Sequence, residues 1–97
     1  MTQTFAIDYD ETFTSAPELW AMLIREAKHL RHKVYCITCR TETEESVDQM
    51  NEVFSRLGCQ MPIVFTSHSP KQYAMQQRGI KVDVWIDDDP KSIIFGI

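Results

Sequence analysis

The chain has no apolar run near the length of a membrane span, and no signal-peptide pattern opens it. We therefore expect neither a membrane anchor nor export. Internal repeats, low-complexity tracts and linker-like stretches are also absent, so the 97 residues read as one domain, 1–97. Cysteine is scarce and odd in number, at three, which argues for a reducing compartment and hence the cytoplasm. Positive charge is outnumbered: 10 Lys and Arg against 14 Asp and Glu give a formal net charge of −4. No global basic field draws the protein to nucleic acid or anionic membrane, although a local basic rim is compatible with that balance. The rest is ordinary globular composition, 43% apolar.

Short β-branched runs alternate with stretches of helical spacing. Ser15-Ala16-Pro17-Glu18 predicts a helix start, with Ser15 as N-cap, proline in the first turn and Glu18 closing a capping box. Ala16, Trp20, Leu23, Ala27 and Leu30 recur at helical spacing as its buried stripe, and the helix should end near Arg31 to Lys33. Val34 to Thr38 is a second strand. Thr41 or Thr43 caps the next helix, with Val47, Met50, Phe54 and Leu57 inward and Gly58 as its stop. Met61 to Phe65 is a third strand, Ser69 caps a helix that stops at Gly79, and Lys81 to Ile86 is a fourth strand. The tail from Ile93 to Ile97 fits either a short strand or a last helical turn. Such a βαβαβαβ order predicts an α/β fold with a parallel sheet and helices on both faces.

Two of these strands end in carboxylates. Phe5-Ala6-Ile7 runs into Asp8-Tyr9-Asp10-Glu11-Thr12, and Val82-Asp83-Val84-Trp85-Ile86 runs into Asp87-Asp88-Asp89. In an open α/β sheet the carboxyl edge of the strands is where ligands bind. Several carboxylates gathered there are costly unless a cation neutralises them.

The pattern resembles the haloacid dehalogenase (HAD) superfamily, whose first motif, D-x-D-x-T at a strand end, stands here as Asp8-Tyr9-Asp10-Glu11-Thr12. Its second, a strand ending in Ser or Thr, matches Tyr35-Cys36-Ile37-Thr38. Its third, a lysine near a helix start, matches Lys71, and its fourth, a strand ending in paired aspartates, matches Ile86-Asp87-Asp88. The resemblance implies a minimal HAD-like, Rossmannoid three-layer α/β/α fold with strand order 3-2-1-4. It also implies a Mg2+-dependent phosphomonoester hydrolase working through an aspartyl-phosphate. In that reading Asp8 is the nucleophile and Asp10 the general acid and base. Asp8 and Asp87 through their carboxylates and Asp10 through its backbone carbonyl hold the metal, with Asp88 orienting its water shell, and Thr12, Thr38, Arg40 and Lys71 meet the substrate, with Thr38 and Lys71 also counted as catalytic. Glycine often follows the second aspartate in the family, and Glu11 departs from that form.

The gaps after the first and second motifs are too short for a cap domain. An open, capless site suits a substrate that brings its own surface, and the chain looks most like the phosphatase domain of polynucleotide kinase–phosphatases and like 5′(3′)-nucleotidases. A nucleotide or nucleic acid end is thus an expected partner, and Arg40, Lys71, Arg78, Lys81 and Lys91 could border the site. Arg78 and Lys81 read more simply as a solvated face. Other readings stay open. A non-catalytic module of the same fold could bind a divalent ion or accept a phosphoryl group. The acidic pair could sit one residue later, at Asp88-Asp89, or Asp89 could only cap a helix. Tyr9 could touch a leaving group or pack under a helix, while Trp20 and Trp85 read as core. His68 reads as a solvated loop residue. His29, His32, Cys36 and Cys39 do not make a zinc site, because nothing between them lets the chain fold back. Cys36 and Cys39, i and i+3 on a strand, face opposite sides and do not make a redox pair. A sheet this narrow has exposed edges, so a homodimer is an expected possibility.

Overall fold

The computed structural model describes residues 1–97. Its first strand, β1 (Thr4–Asp8), pairs in parallel with β2 (Lys33–Thr38) on one side and with β4 (Val84–Ile86) on the other. β3 (Ile63–Phe65) pairs with β2, which gives an all-parallel sheet in the order β3-β2-β1-β4. The short apolar strands and the helices between them permit this arrangement with right-handed crossovers.

Side chains alternate across a strand, so the sheet feeds two cores. On one face Ile7, Val34 and Cys36 pack with α1 (Pro17–His29) and α2 (Glu44–Arg56), chiefly through Ile24, Met50 and Phe54. On the other, Ala6, Ile37 and Val64 pack with Ala74 and Met75 of α3 (Lys71–Gln77). The tail is a helix, α4 (Lys91–Ile94), lying against α3. Gly58 and Gly79 end α2 and α3 with φ of 67° and 68°, the left-handed conformation that glycine adopts without strain.

Several local expectations are corrected. Ser15 does not cap α1. Phe13–Ser15 is a single 3-10 turn, the Ser15 hydroxyl donates to the Thr12 carbonyl at 2.6 Å, and the N-cap is Ala16 with no side-chain bond. The buried stripe of α1 is Ala21, Ile24 and Ala27, whereas Leu23 and Leu30 are exposed and Trp20 is half-buried. Small residues let the helix sit close to the sheet, and the larger ones turn to its flank. α1 also ends earlier than expected, at His29. His32 N–H bonds to the Ala27 carbonyl and Arg31 takes φ 69°, a Schellman-type stop made without glycine. For α2, Thr43 rather than Thr41 is the cap, accepting from the Ser46 N–H at 3.1 Å. Met50 and Phe54 are its buried pair, with Val47 and Leu57 half-buried. Ser69 does not cap α3, which starts after Pro70. β3 and β4 are each shorter than expected, beginning at Ile63 and Val84.

Candidate active site

β1 and β4 run side by side and end at the same edge of the sheet, so Asp8 and Asp87 leave it as neighbours. One ligand atom from each of Asp8, Asp87 and Asp88 lies within 4.8 Å of the others, and this is the one grouping of three metal-ligating side chains in the chain. From the opposite side Lys71, the first residue of α3, reaches in. Its ammonium is 2.9 Å from Asp8 Oδ1 and also donates to Asp87 Oδ2. Lys71 is 1% exposed, so the ion is held by these carboxylates and not by water. Together these side chains line a cleft of about 220 Å3, with Asp10, Glu11, Cys39, Asp89, Ser92 and Ile97.

Formal charge does not balance in this cluster. Three carboxylates face one ammonium. Burial pushes the Asp8 carboxyl up to about 6, against the pull of Lys71. For Lys71 burial works downward, yet the hydrogen bonds to Asp8 and Asp87 outweigh it and hold the ammonium above its usual range. Asp88, outside on the rim, is held below the usual carboxylate range, first by its hydrogen bond with Asp8 and then by Thr12. The Thr12 hydroxyl lies 3.1 Å from Asp8 Oδ2 and 2.9 Å from Asp88 Oδ1, and it accepts the Asp88 N–H at 3.0 Å. A hydroxyl has one proton to give. It serves one carboxylate, and a proton on Asp8 lets the second contact form. Thr12, expected at a substrate, is therefore buried and spent on joining the two acidic corners.

The other expected residues fall into two groups. Thr38 is buried at the end of β2, and its hydroxyl accepts the Arg40 N–H at 3.2 Å, which leaves its proton free to donate. Asp10 is exposed and turned to Arg40, whose Nε and Nη2 bind its two oxygens at 2.9 and 2.8 Å. Arg40 also covers the Tyr9 ring at 5.2 Å, so neither Asp10 nor Arg40 is directed at the three clustered carboxylates. Tyr9 itself is core, stacked on Phe13 and edge-on to Phe54. Arg78 is in the C-terminal turn of α3, and Lys81 precedes β4, both at the end of the sheet away from the cleft. Lys91 is exposed and outside the cleft lining. Asp89 uses its backbone, its N–H bonding Asp87 Oδ1 at 2.9 Å and its carbonyl accepting from Ser92. His32 Nδ1 accepts the Gln3 N–H, and Cys36 is buried in the core, so the histidines and cysteines do not assemble. Trp20 and Trp85 are half-buried against the two cores.

Two residues escaped the sequence. Ser92 is buried, 3.3 Å from Asp87 Oδ2 and 2.8 Å from the Asp89 carbonyl. Reading the tail as a helix would have found it in the first turn. Thr66 follows β3, its N–H bonded to the Thr38 carbonyl at 2.9 Å, and its buried hydroxyl has no partner. The signal was present, since Val64-Phe65-Thr66 repeats Cys36-Ile37-Thr38. Glu11 takes φ 65°, a left-handed conformation suited to glycine. That is a physical reason for glycine at this place, and Glu11 keeps the conformation at a cost, with its N–H bonded to Thr14 Oγ1 at 2.9 Å.

Comparison with known proteins adds nothing to this geometry: no family model, no curated protein and no solved structure matches the chain. No helix is long and apolar enough to cross a membrane.

Proposed function

We propose that the chain is a Mg2+-dependent phosphomonoester hydrolase of the HAD type, acting through an aspartyl-phosphate. The observation that carries this reading is the meeting of Asp8, Asp87 and Asp88 around a buried Lys71 at one end of two adjacent strands. Surface caps or stray charges would not bury a lysine between them.

The donor set fits the ion. Three carboxylates offer hard oxygen ligands, and their excess of negative charge over Lys71 is what a divalent cation removes. Asp8, Asp87 and Asp88 would hold it, and when bound it neutralises charge on the phosphoryl oxygens. In the reaction an Asp8 oxygen attacks phosphorus, the bond to the leaving oxygen breaks, and Asp10 gives that oxygen a proton. Water then attacks the aspartyl-phosphate, Asp10 takes its proton, and inorganic phosphate departs with Asp8 restored. Lys71 has three N–H donors and spends two on Asp8 and Asp87, so the third is available to a phosphoryl oxygen. The free proton of Thr38 serves the same end. Asp10 must first leave Arg40. An ion pair this exposed costs no more than about 1 kcal/mol to open, so the pair is a gate that substrate binding can open.

The cleft is open, which suits a substrate with its own bulk, such as a nucleotide or a nucleic acid end. Its mouth carries Asp10, Glu11, Asp88 and Asp89, all exposed, and this favours a small phosphomonoester over a long polyanion. The test is phosphate release with Mg2+ from aryl phosphate, 5′- and 3′-nucleotides and 3′-phosphorylated oligonucleotides. Asp8→Asn should abolish release. Full Mg2+-dependent turnover by Asp8→Asn would remove the assignment.

The Arg40–Asp10 pair favours one second reading, a module of this fold that binds a divalent ion or holds a phosphoryl group without turning over. A long-lived phosphoprotein with no repeated phosphate release would establish it over the enzyme.

A further inference from the structure

The segment after β4 turns back onto the cleft that Asp87 has just entered. Ser92, in α4, stands 3.3 Å from Asp87 Oδ2 and 2.8 Å from the Asp89 carbonyl, which pins the helix to the acidic corner. Beyond α4, Gly96 lies against the loop before α3. A Cβ there would stand 2.5 Å from the His68 carbonyl oxygen and 3.0 Å from the Pro70 nitrogen, and the φ of 79° is a second reason for glycine. The Ile97 N–H donates to the same His68 carbonyl at 3.0 Å. Residues 95–97 are thus a strap laid on the 66–70 loop.

The shelf under this strap is held in an unfavourable shape. Ser67 and His68 both take left-handed φ, 52° and 70°, and neither is glycine. Such residues persist where their surroundings over-determine them, and they gather at ligand clamps. Here the Thr66, Ser67 and His68 N–H groups bond the Thr38, Arg40 and Cys39 carbonyls at 2.9, 3.2 and 2.9 Å, stitching the shelf to the loop after β2. Held there, Ile97 forms part of the cleft wall with its side chain open to solvent. Of the side chains around the cleft, only Ile97 and Cys39 are apolar.

We infer that this strap is the wall on which the leaving group of the substrate packs, with Ile97 as its contact, so that the cleft selects phosphomonoesters of apolar alcohols and phenols. The inference rests on the hydrolase reading and gives it a substrate class. An anionic leaving group meets Asp10, Glu11, Asp88 and Asp89 at the mouth. A hydroxylated one exchanges water for exposed carboxylates, with little net gain. An apolar one takes the Ile97 side chain out of water, and no cost opposes that gain.

Calorimetric titration with phosphonates in Mg2+ tests this without turnover. Phenylphosphonate probes the wall, methylphosphonate the phosphoryl site alone, and aminoethylphosphonate the acidic mouth. The wild type should bind phenylphosphonate about tenfold more tightly than methylphosphonate. Ile97→Ser should remove most of that preference and leave methylphosphonate affinity unchanged, which a general loss of structure would not do. Gly96→Ala lifts the strap from His68 and should act alike; should it fail to fold, Ile97→Ser decides alone. Equal binding of the phenyl and methyl compounds, tightest binding of aminoethylphosphonate, binding of none, or a phenyl preference that survives Ile97→Ser overturns the wall. A phenyl preference lost in Ile97→Ser, in a chain that releases no phosphate from phenyl phosphate, upholds the wall and fails the hydrolase reading alone.

Discussion

Removing the charge of Asp8 should make the metal-free protein more stable, and by an amount that depends on pH. Burial raises this carboxyl from its ordinary 3.8 to about 6. Below pH 3.8 the group is protonated in both the folded and the unfolded chain. Between the two values only the folded chain keeps the proton, so stability falls as pH rises. Above about 6 both chains have lost it, and the folded state carries the whole cost of a buried, undercompensated charge. At about 1.4 kcal/mol per pH unit the span is worth about 3 kcal/mol. Asp8→Asn keeps the shape and cannot ionise, so it should match the wild type near pH 3.5 and exceed it by about 3 kcal/mol at pH 7. Urea unfolding of both proteins, in chelator, at intervals from pH 3.5 to 7.5 measures the difference and cancels the titration of groups that do not touch Asp8. A gap that stays constant across that range would show that Asp8 is not held as described. Mg2+ provides the second axis. An ion at 100 times its dissociation constant stabilises the folded state by about 2.7 kcal/mol, so it should close the gap at pH 7 by stabilising the wild type and not Asp8→Asn.

Lys71→Met leaves Asp8 and Asp87 buried without their cation and should cost about 3–5 kcal/mol; thermal unfolding in chelator checks this, and Mg2+ should restore part of the loss. Glu11→Gly relaxes a left-handed backbone, and urea unfolding should report a gain of about 1 kcal/mol. It also removes a negative side chain from the mouth, so KM for an aryl phosphate should fall more than kcat changes. Arg40→Ala breaks an exposed pair and should cost less than about 1 kcal/mol of stability, while freeing Asp10; steady-state kinetics should show kcat held or raised. Thr12→Val strips the bridge between Asp8 and Asp88, and differential scanning calorimetry should show a loss of about 1–3 kcal/mol from their unmet hydrogen bonds.

The succession of strands and helices and the carboxylate-bearing edge were legible in the sequence because they follow from pattern, whereas the order 3-2-1-4 within the sheet was implied only by the resemblance to the HAD superfamily. β-branched runs between helical spacings leave a parallel sheet as the simplest outcome, and an aspartate just after such a run must stand at the sheet's edge. The glycines at 58 and 79 marked helix ends for a reason that is local to one residue. What the sequence hid was set by contacts across the chain. The spacing of Trp20, Leu23 and Leu30 fits a helical face as well as Ala21, Ile24 and Ala27 does, and only the closeness of α1 to the sheet decides between them. Ser15 and Ser69 have the composition of caps, but the Ser15 hydroxyl is used on Thr12 and Pro70 begins the α3 turn. Thr12 and Arg40 look like substrate ligands until their partners, 76 and 30 residues away, are in place.

β1 has its two neighbours at very different distances along the chain, one about thirty residues on and the other about eighty. Three strands and three helices can therefore assemble while the innermost strand still lacks one side, and until that moment Asp8 has Lys71 and Thr12 beside it but neither aspartate of the last strand. A polypeptide cut before residue 87 would keep the pairing of Asp8 with Lys71 and miss the other two carboxylates, so the grouping able to hold a divalent ion exists only once the last strand has docked.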